Sequence, residues 1–166
     1  MPILRPSASR KSRAPARLGS PVVARYADYV PEFQKTKRTS AQQAGISFEK
    51  AVVKKLTAIY GKVEAAPWLY YKTPKRSGIC QPDALLWLAD DHICIVEIKL
   101  SWMRPVRQKL MKFYGPVVAA IYKDVKLSYL QIYKNAKPTS HKNSFSIYKL
   151  DEVPIGKYKE CQWLGI

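Results

Sequence analysis

Apolar side chains first recur at helical spacing between residues 40 and 60, where Ile46, Val52, Val53, Leu56 and Ile59 fall on one stripe. Ser40 or Thr39 is placed to cap this helix, and Gly61 to end it. The pattern then shortens. Residues 68–72 have strand character, and residues 73–78 are rich in turn formers. Residues 84–88 are apolar without a break, Asp90-Asp91 marks a turn, and residues 92–100 form a second apolar strand through Ile93, Cys94, Ile95, Val96 and Ile98. Strands apolar on both faces belong at the centre of a sheet that is covered on each side. A helical period returns from Arg104 to about Tyr122 through Leu110, Tyr114, Val117 and Ile121. Gly115-Pro116 should kink or split that helix, and a strand over residues 117–122 is the alternative. Residues 125–133 read as a further strand and residues 145–150 as another. The expected order is helix, three strands, helix, strand, with a C-terminal addition and no internal repeat.

Charge changes the picture more than composition does. Apolar types make up 47% of the 166 residues, ample for the core of one domain. Lys and Arg number 29 against 12 acids, a net +17, and so basic a chain calls for an anionic partner. Nucleic acid is the usual one and an anionic membrane surface the rival. No apolar run is long enough to span a bilayer, and no apolar h-region marks a secretory signal. Cys80, Cys94 and Cys161 are odd in number and form no C-x-x-C pair, which argues against a disulfide framework and a structural zinc. A reduced, cytoplasmic protein is expected.

The first 40 residues carry nine Lys/Arg and two acids, interrupted by Pro2, Pro6, Pro15, Pro21 and Pro31. Such a segment reads as a mobile basic arm, either simply solvated or binding phosphates non-specifically, ahead of a folded domain over residues 41–166. A transit peptide is a third reading, opposed by the prolines.

Acids are scarce, so their positions carry weight. Asp83 follows Pro82 at the mouth of an apolar strand, and Glu97 lies inside the most apolar strand of the chain. Lys99 is two residues on and shares the face of Glu97. A buried carboxylate needs a partner or a metal. One reading is a structural Glu97–Lys99 ion pair, which leaves Asp83 unexplained. The other puts Asp83 and Glu97 on one divalent metal, with a backbone carbonyl and waters completing a site suited to Mg²⁺ or Mn²⁺. Such an ion polarises a phosphodiester and acidifies an attacking water, while Lys99 orients that water or stabilises the transition-state charge. A strict two-residue Asp90-Asp91 loop would set Asp83 opposite Ile98. Sharing a face with Glu97 as its directly opposed residue therefore requires an odd-length loop or a bulge.

The stretch QPDALLWLADDHICIVEIK, with Pro82-Asp83 and Glu97-Ile98-Lys99, resembles the PD-(D/E)XK nuclease superfamily. The resemblance covers about residues 41–134. It implies a restriction-endonuclease-like α/β fold, an αβββαβ core with a central mixed sheet flanked by helices. GISFEKAVVKKL adds Glu49 four residues after Gly45, a spacing similar to archaeal-type Holliday junction resolvases, in which a helix glutamate supports the metal. The alternative for Glu49 is a surface pair with Lys54. The resolvase branch also places a polar residue in the loop before the PD strand, where Ser77 stands beside Gly78, although Ser-Gly is also ordinary turn chemistry. Lys72, Lys75 and Arg76 in that loop are candidates to hold phosphates. On the following helix Arg104 and Arg107 read as DNA-backbone contacts. Gln108 there matches the first position of the Q-x-x-x-Y motif of RecB-like members, but Lys112 stands at the Tyr position and Tyr114 lies two residues further on. His92 and His141 are isolated and read as surface residues, and Tyr129, Tyr133, Tyr148 and Tyr158 as core, with base stacking or a dimer seam as the alternative.

The leading expectation is a metal-dependent, structure-selective DNA endonuclease of resolvase type. The resemblance implies a homodimer, and small basic nucleases of this kind suit a phage or mobile element. The alternatives are a RecB-like end-processing exonuclease and a non-catalytic basic nucleic-acid-binding protein.

Overall fold

The computed structural model describes residues 18–21, 23–31, 37–135 and 145–163. Helix α1 (Ser40–Tyr60) begins where the cap predicts. The Thr39 hydroxyl accepts from the Gln42 N–H while the Gln42 side chain accepts from the Thr39 N–H, so two open donors of the first turn are met. Gly61 ends the helix at φ 85°, a conformation glycine adopts without cost.

Among the described residues eight strands form two sheets. β1 (Val23–Tyr26), β3 (Leu69–Lys72) and β4 (Ser77–Cys80) form a small antiparallel sheet in the order β1-β3-β4. β2 (Val63–Ala65), β5 (Ala84–Ala89), β6 (His92–Ser101), β7 (Lys126–Asn135) and β8 (Tyr158–Gln162) form the main sheet in the order β2-β5-β6-β7-β8. The first three strands in that order pair antiparallel, and β6, β7 and β8 pair parallel. Each parallel pair needs a crossover. A long helix joins β6 to β7, and a 3₁₀ segment (Ile147–Glu152) lies between β7 and β8. The chain is therefore mixed α/β, with its main sheet mixed in direction.

Alternate residues of the central strands feed two cores. Ala84, Leu86, Cys94, Val96 and Ile98 meet Phe48, Val52 and Leu56 of α1. Leu85, Ile93 and Ile95 face the other way and meet Val106, Leu110, Phe113 and Val117, together with Leu69 and Tyr71 of the small sheet. β5 and β6 are thus covered on both faces, as their unbroken apolar pattern requires.

Several elements depart from expectation. Residues 145–150 carry no strand: Ile147–Glu152 wind into a 3₁₀ segment that buries Ile147 and Leu150. Strand β4 starts within the stretch read as a turn, and β2 and β8 were not anticipated. Residues 117–121 continue the helix, as the leading reading has it, and the alternative strand is absent.

The basic segment is not an arm along its whole length. Val23–Tyr26 pair with β3, Leu18 is buried in the core, and the Tyr26 hydroxyl donates to Glu64. Residues 1–17 lie outside the described residues.

The helix after β6 is built in three parts, α2 (Val106–Lys109), a π-turn (Leu110–Tyr114) and α3 (Gly115–Ile121). Pro116 has no N–H to give the Lys112 carbonyl four residues back. The Leu18 N–H fills that position at 2.9 Å. Gly115 is required here, because a Cβ would lie 2.7 Å from the Tyr129 hydroxyl and 3.2 Å from the Leu110 carbonyl oxygen. We expect Gly115→Ala to lower unfolding free energy by about 1–3 kcal/mol in urea titrations, as overpacked core positions do. Tyr129→Phe in the same chain should recover part of the loss.

Candidate active site

The β5–β6 hairpin fixes the site. Ala89 pairs with His92 across the Asp90-Asp91 turn, but Trp87 pairs with Ile93, so Leu88 is an extra residue in the ladder. Beyond this bulge Ala84 pairs with Val96, and one further step sets Asp83 opposite Glu97. The bulge thus supplies the parity that a two-residue turn alone would deny.

Glu97 and Lys99 follow on the same face of β6. The Lys99 ammonium lies 2.8 Å from Glu97 Oε1 and 3.7 Å from Asp83 Oδ2. β6 outruns β5 at this end, and the Asp83 carboxylate accepts the Ile98 N–H at 2.6 Å. Glu49 is half-buried on α1, where the charges of Lys99 and Glu97 act on its carboxyl.

The carboxylates are held against their chemistry. Glu97 is 1% exposed. Burial pushes the Asp83 carboxyl up to about 7, with the Glu97 charge adding to the rise and Lys99 and the Ile98 N–H opposing it. Burial also raises Glu49; Lys99 opposes this and Glu97 adds to it. Burial alone would lower Lys99, but Glu97 and Asp83 outweigh it and hold the ammonium protonated above its ordinary range.

Two features of the site go beyond what the sequence places. The first is Lys109, whose ammonium donates to Glu97 Oε1 at 2.7 Å, the oxygen Lys99 already occupies. Glu97 Oε2 is buried and has no hydrogen-bond partner. The second is Tyr114. Its hydroxyl donates to the Gln81 carbonyl at 3.0 Å, and its ring centroid lies 5.0 Å from the Lys109 ammonium. In a regular α-helix residues five apart diverge. The π-turn brings position 114 back to the face of position 109. The sequence signals for this are Gly115-Pro116, which announces a disturbed helix but not its form, and Tyr114 itself, two residues beyond the Tyr position of the Q-x-x-x-Y motif.

Gln131 of β7 pairs with Glu97 in register and is fully buried. Its side chain accepts the Met103 N–H at 2.8 Å and donates to the Met103 carbonyl at 3.0 Å, fixing the bend from β6 into α2.

The other expected contacts are more scattered. Arg104, Arg107 and Gln108 are exposed around the start of α2, and Arg107 lies over the Tyr158 ring. Lys72, Lys75, Arg76 and Ser77 gather at the tip of the β3–β4 hairpin, where Thr73 closes the turn on Arg76. His92 is half-buried and hydrogen-bonded to Ser128 at 2.8 Å, and His141 lies outside the described residues. Tyr133 is fully buried, Tyr129 and Tyr158 are half-buried, and Tyr148 is exposed. No described helix is long and apolar enough to cross a membrane.

Among the described residues no group of three or more His, Cys, Asp or Glu side chains stands in metal-ligand geometry. The bare Glu97 Oε2 nevertheless fits a small cation, because a buried carboxylate oxygen demands a positive partner and neither lysine supplies one to it. Comparison with known proteins finds no family model, no curated protein and no solved structure that matches the chain.

The raised Asp83 carboxyl has a stability consequence. A folded value above the ordinary 3.8 means that stability is fully present below that pH and is lost as pH rises through about 7. In EDTA, Asp83→Asn keeps an acceptor for the Ile98 N–H and removes the charge. It should melt higher than the wild type at pH 8, with the gap closing towards pH 4, as thermal melts across that range would record.

Proposed function

We propose that the protein is a divalent-metal-dependent deoxyribonuclease of the PD-(D/E)XK type that cuts DNA internally, with a preference for branched structures. The observation that carries this reading is the convergence of Asp83, Glu97 and Lys99 on one face at the end of β5 and β6, with Glu97 Oε2 buried and bare. The order α1, antiparallel β-strands, crossover helix and parallel β7 supports the αβββαβ core of that superfamily.

Asp83 and Glu97 would hold Mg²⁺ or Mn²⁺, supported by Glu49. When bound, such an ion polarises the phosphodiester and lowers the pKa of an attacking water. Lys99 keeps its proton beside the two carboxylates, so its ammonium can orient that water or stabilise charge developing on the phosphate. Burial of Glu97 keeps the reacting region at low dielectric, where each of these charges acts strongly. Arg104, Arg107 and Gln108, exposed around the start of α2, would grip the DNA backbone. Lys72, Lys75, Arg76 and Ser77 would reach a more distant stretch of the same duplex or a second arm. A homodimer would present two such sites to the symmetric strands of a junction.

A second reading is a RecB-like end-processing nuclease. Tyr114 favours it, since the π-turn returns a tyrosine to the site-facing side of the helix that follows the E-x-K strand.

One panel separates these readings: four-way junction, flap, linear duplex, linear single strand and single-stranded circle, each with EDTA, Mg²⁺ or Mn²⁺. We expect metal-dependent cutting of the junction, reduced at least about 100-fold in Asp83→Ala/Glu97→Ala. Activity confined to substrates with ends selects the end-processor. Binding without cutting in any lane overturns both and leaves a basic nucleic-acid-binding protein with a structural ion pair.

A further inference from the structure

One ammonium is enough to neutralise one carboxylate, yet Glu97 Oε1 accepts two, from Lys99 at 2.8 Å and Lys109 at 2.7 Å. The two lysines are not equivalent. Lys99 is shared between Glu97 and Asp83, whereas Glu97 is the only carboxylate paired with Lys109 among the described residues. Lys109 is also placed to leave. Its side chain is 32% exposed, and its four-carbon stem is flexible. The Tyr114 ring beside it offers a resting surface that needs no carboxylate.

The charges point the same way. Asp83, Glu97 and Glu49 against Lys99 and Lys109 leave one negative charge when all are ionised. A divalent cation turns that into one positive charge, which matches a single phosphodiester.

We propose that Lys109 is the counter-ion of the metal-free site and a phosphate ligand of the loaded one: its ammonium rests on Glu97 until a divalent cation claims that carboxylate, and then turns to the DNA backbone. This rests on the reading of Asp83 and Glu97 as metal ligands. It makes the grip on DNA depend on prior loading of the metal, since Lys109 is not released without it. Lys99 stays between the two carboxylates throughout. Arg107 and Lys112 are exposed on the same helix.

The test measures metal binding, not cleavage. Mn²⁺ is titrated into the DNA-free full chain, and free Mn²⁺ is followed by its paramagnetic resonance signal. Lys109→Met keeps most of the stem and removes the charge; Lys109→Gln serves as a second variant, and circular dichroism melts in EDTA establish which of them is folded. The expected result is Mn²⁺ binding about tenfold tighter than in wild type, because a competing cation has gone. In Ca²⁺, the same variants should bind a four-way junction more weakly, with a salt dependence shallower by about one phosphate contact. Unchanged or weaker Mn²⁺ binding in the folded variants, with wild type binding Mn²⁺ normally, overturns the role of Lys109 and leaves the nuclease reading standing. A wild-type chain that takes up no Mn²⁺ overturns both.

Discussion

A glutamate 1% exposed in the middle strand of a sheet must be compensated, and the arrangement around Glu97 can be read as the means of doing it. Desolvating a carboxylate costs several kcal/mol even after relaxation, far more than any one hydrogen bond returns. The Leu88 bulge sets Asp83 across from Glu97, so that Lys99 can serve both. Gln131, beside Glu97 in register, holds the backbone of Met103 and so aims the following helix. The first turn of that helix then delivers Lys109 over the same carboxylate. Strand register, loop anchor and helix start converge on one buried charge.

The compensation is lopsided, and on the proposed reading that sets the cluster apart from a structural ion pair. A pair selected for stability alone would distribute its donors over both oxygens and keep other acids away. Here both ammonium groups crowd Oε1, Oε2 is bare, and Asp83 and Glu49 are held in the same electrostatic field with their carboxyls pushed upward by burial. A cluster of carboxylates that is uphill in isolation becomes favourable when a multiply charged cation is added, which is the common signature of a site poised for a ligand.

The local signals in the sequence were strong where one element decides its own fate. Thr39 and Gly61 bound α1, and the unbroken apolar runs of β5 and β6 announce a doubly covered centre. Asp83, Glu97 and Lys99 stand out because charge is rare in such strands, and hairpin parity calls for an odd-length loop or a bulge, of which the structure has the bulge. What could not be read depends on partners distant in the chain. β8 exists because β7 offers a parallel edge, β1 because β3 does, and Ile147–Glu152 curls because Ile147 and Leu150 find a pocket against α1 and the sheet. In the sequence Lys109 is one basic residue among several on its helix. Its contact with Glu97 follows from helix placement and from the adjoining π-turn, neither of which leaves a periodic trace.

The bond from the Leu18 N–H to the Lys112 carbonyl moves the boundary of the folded unit. Composition divides the chain near residue 40, where the prolines and basic residues thin out. The missing N–H of Pro116 divides it elsewhere, because the vacancy it leaves in the second helix is filled by a residue almost a hundred positions earlier. A chain begun at residue 41 would give up an edge strand of the small sheet and a core side chain, and would open a carbonyl in the very helix that carries Lys109. Among the described residues the packed unit therefore reaches back to Leu18, which braces its second helix.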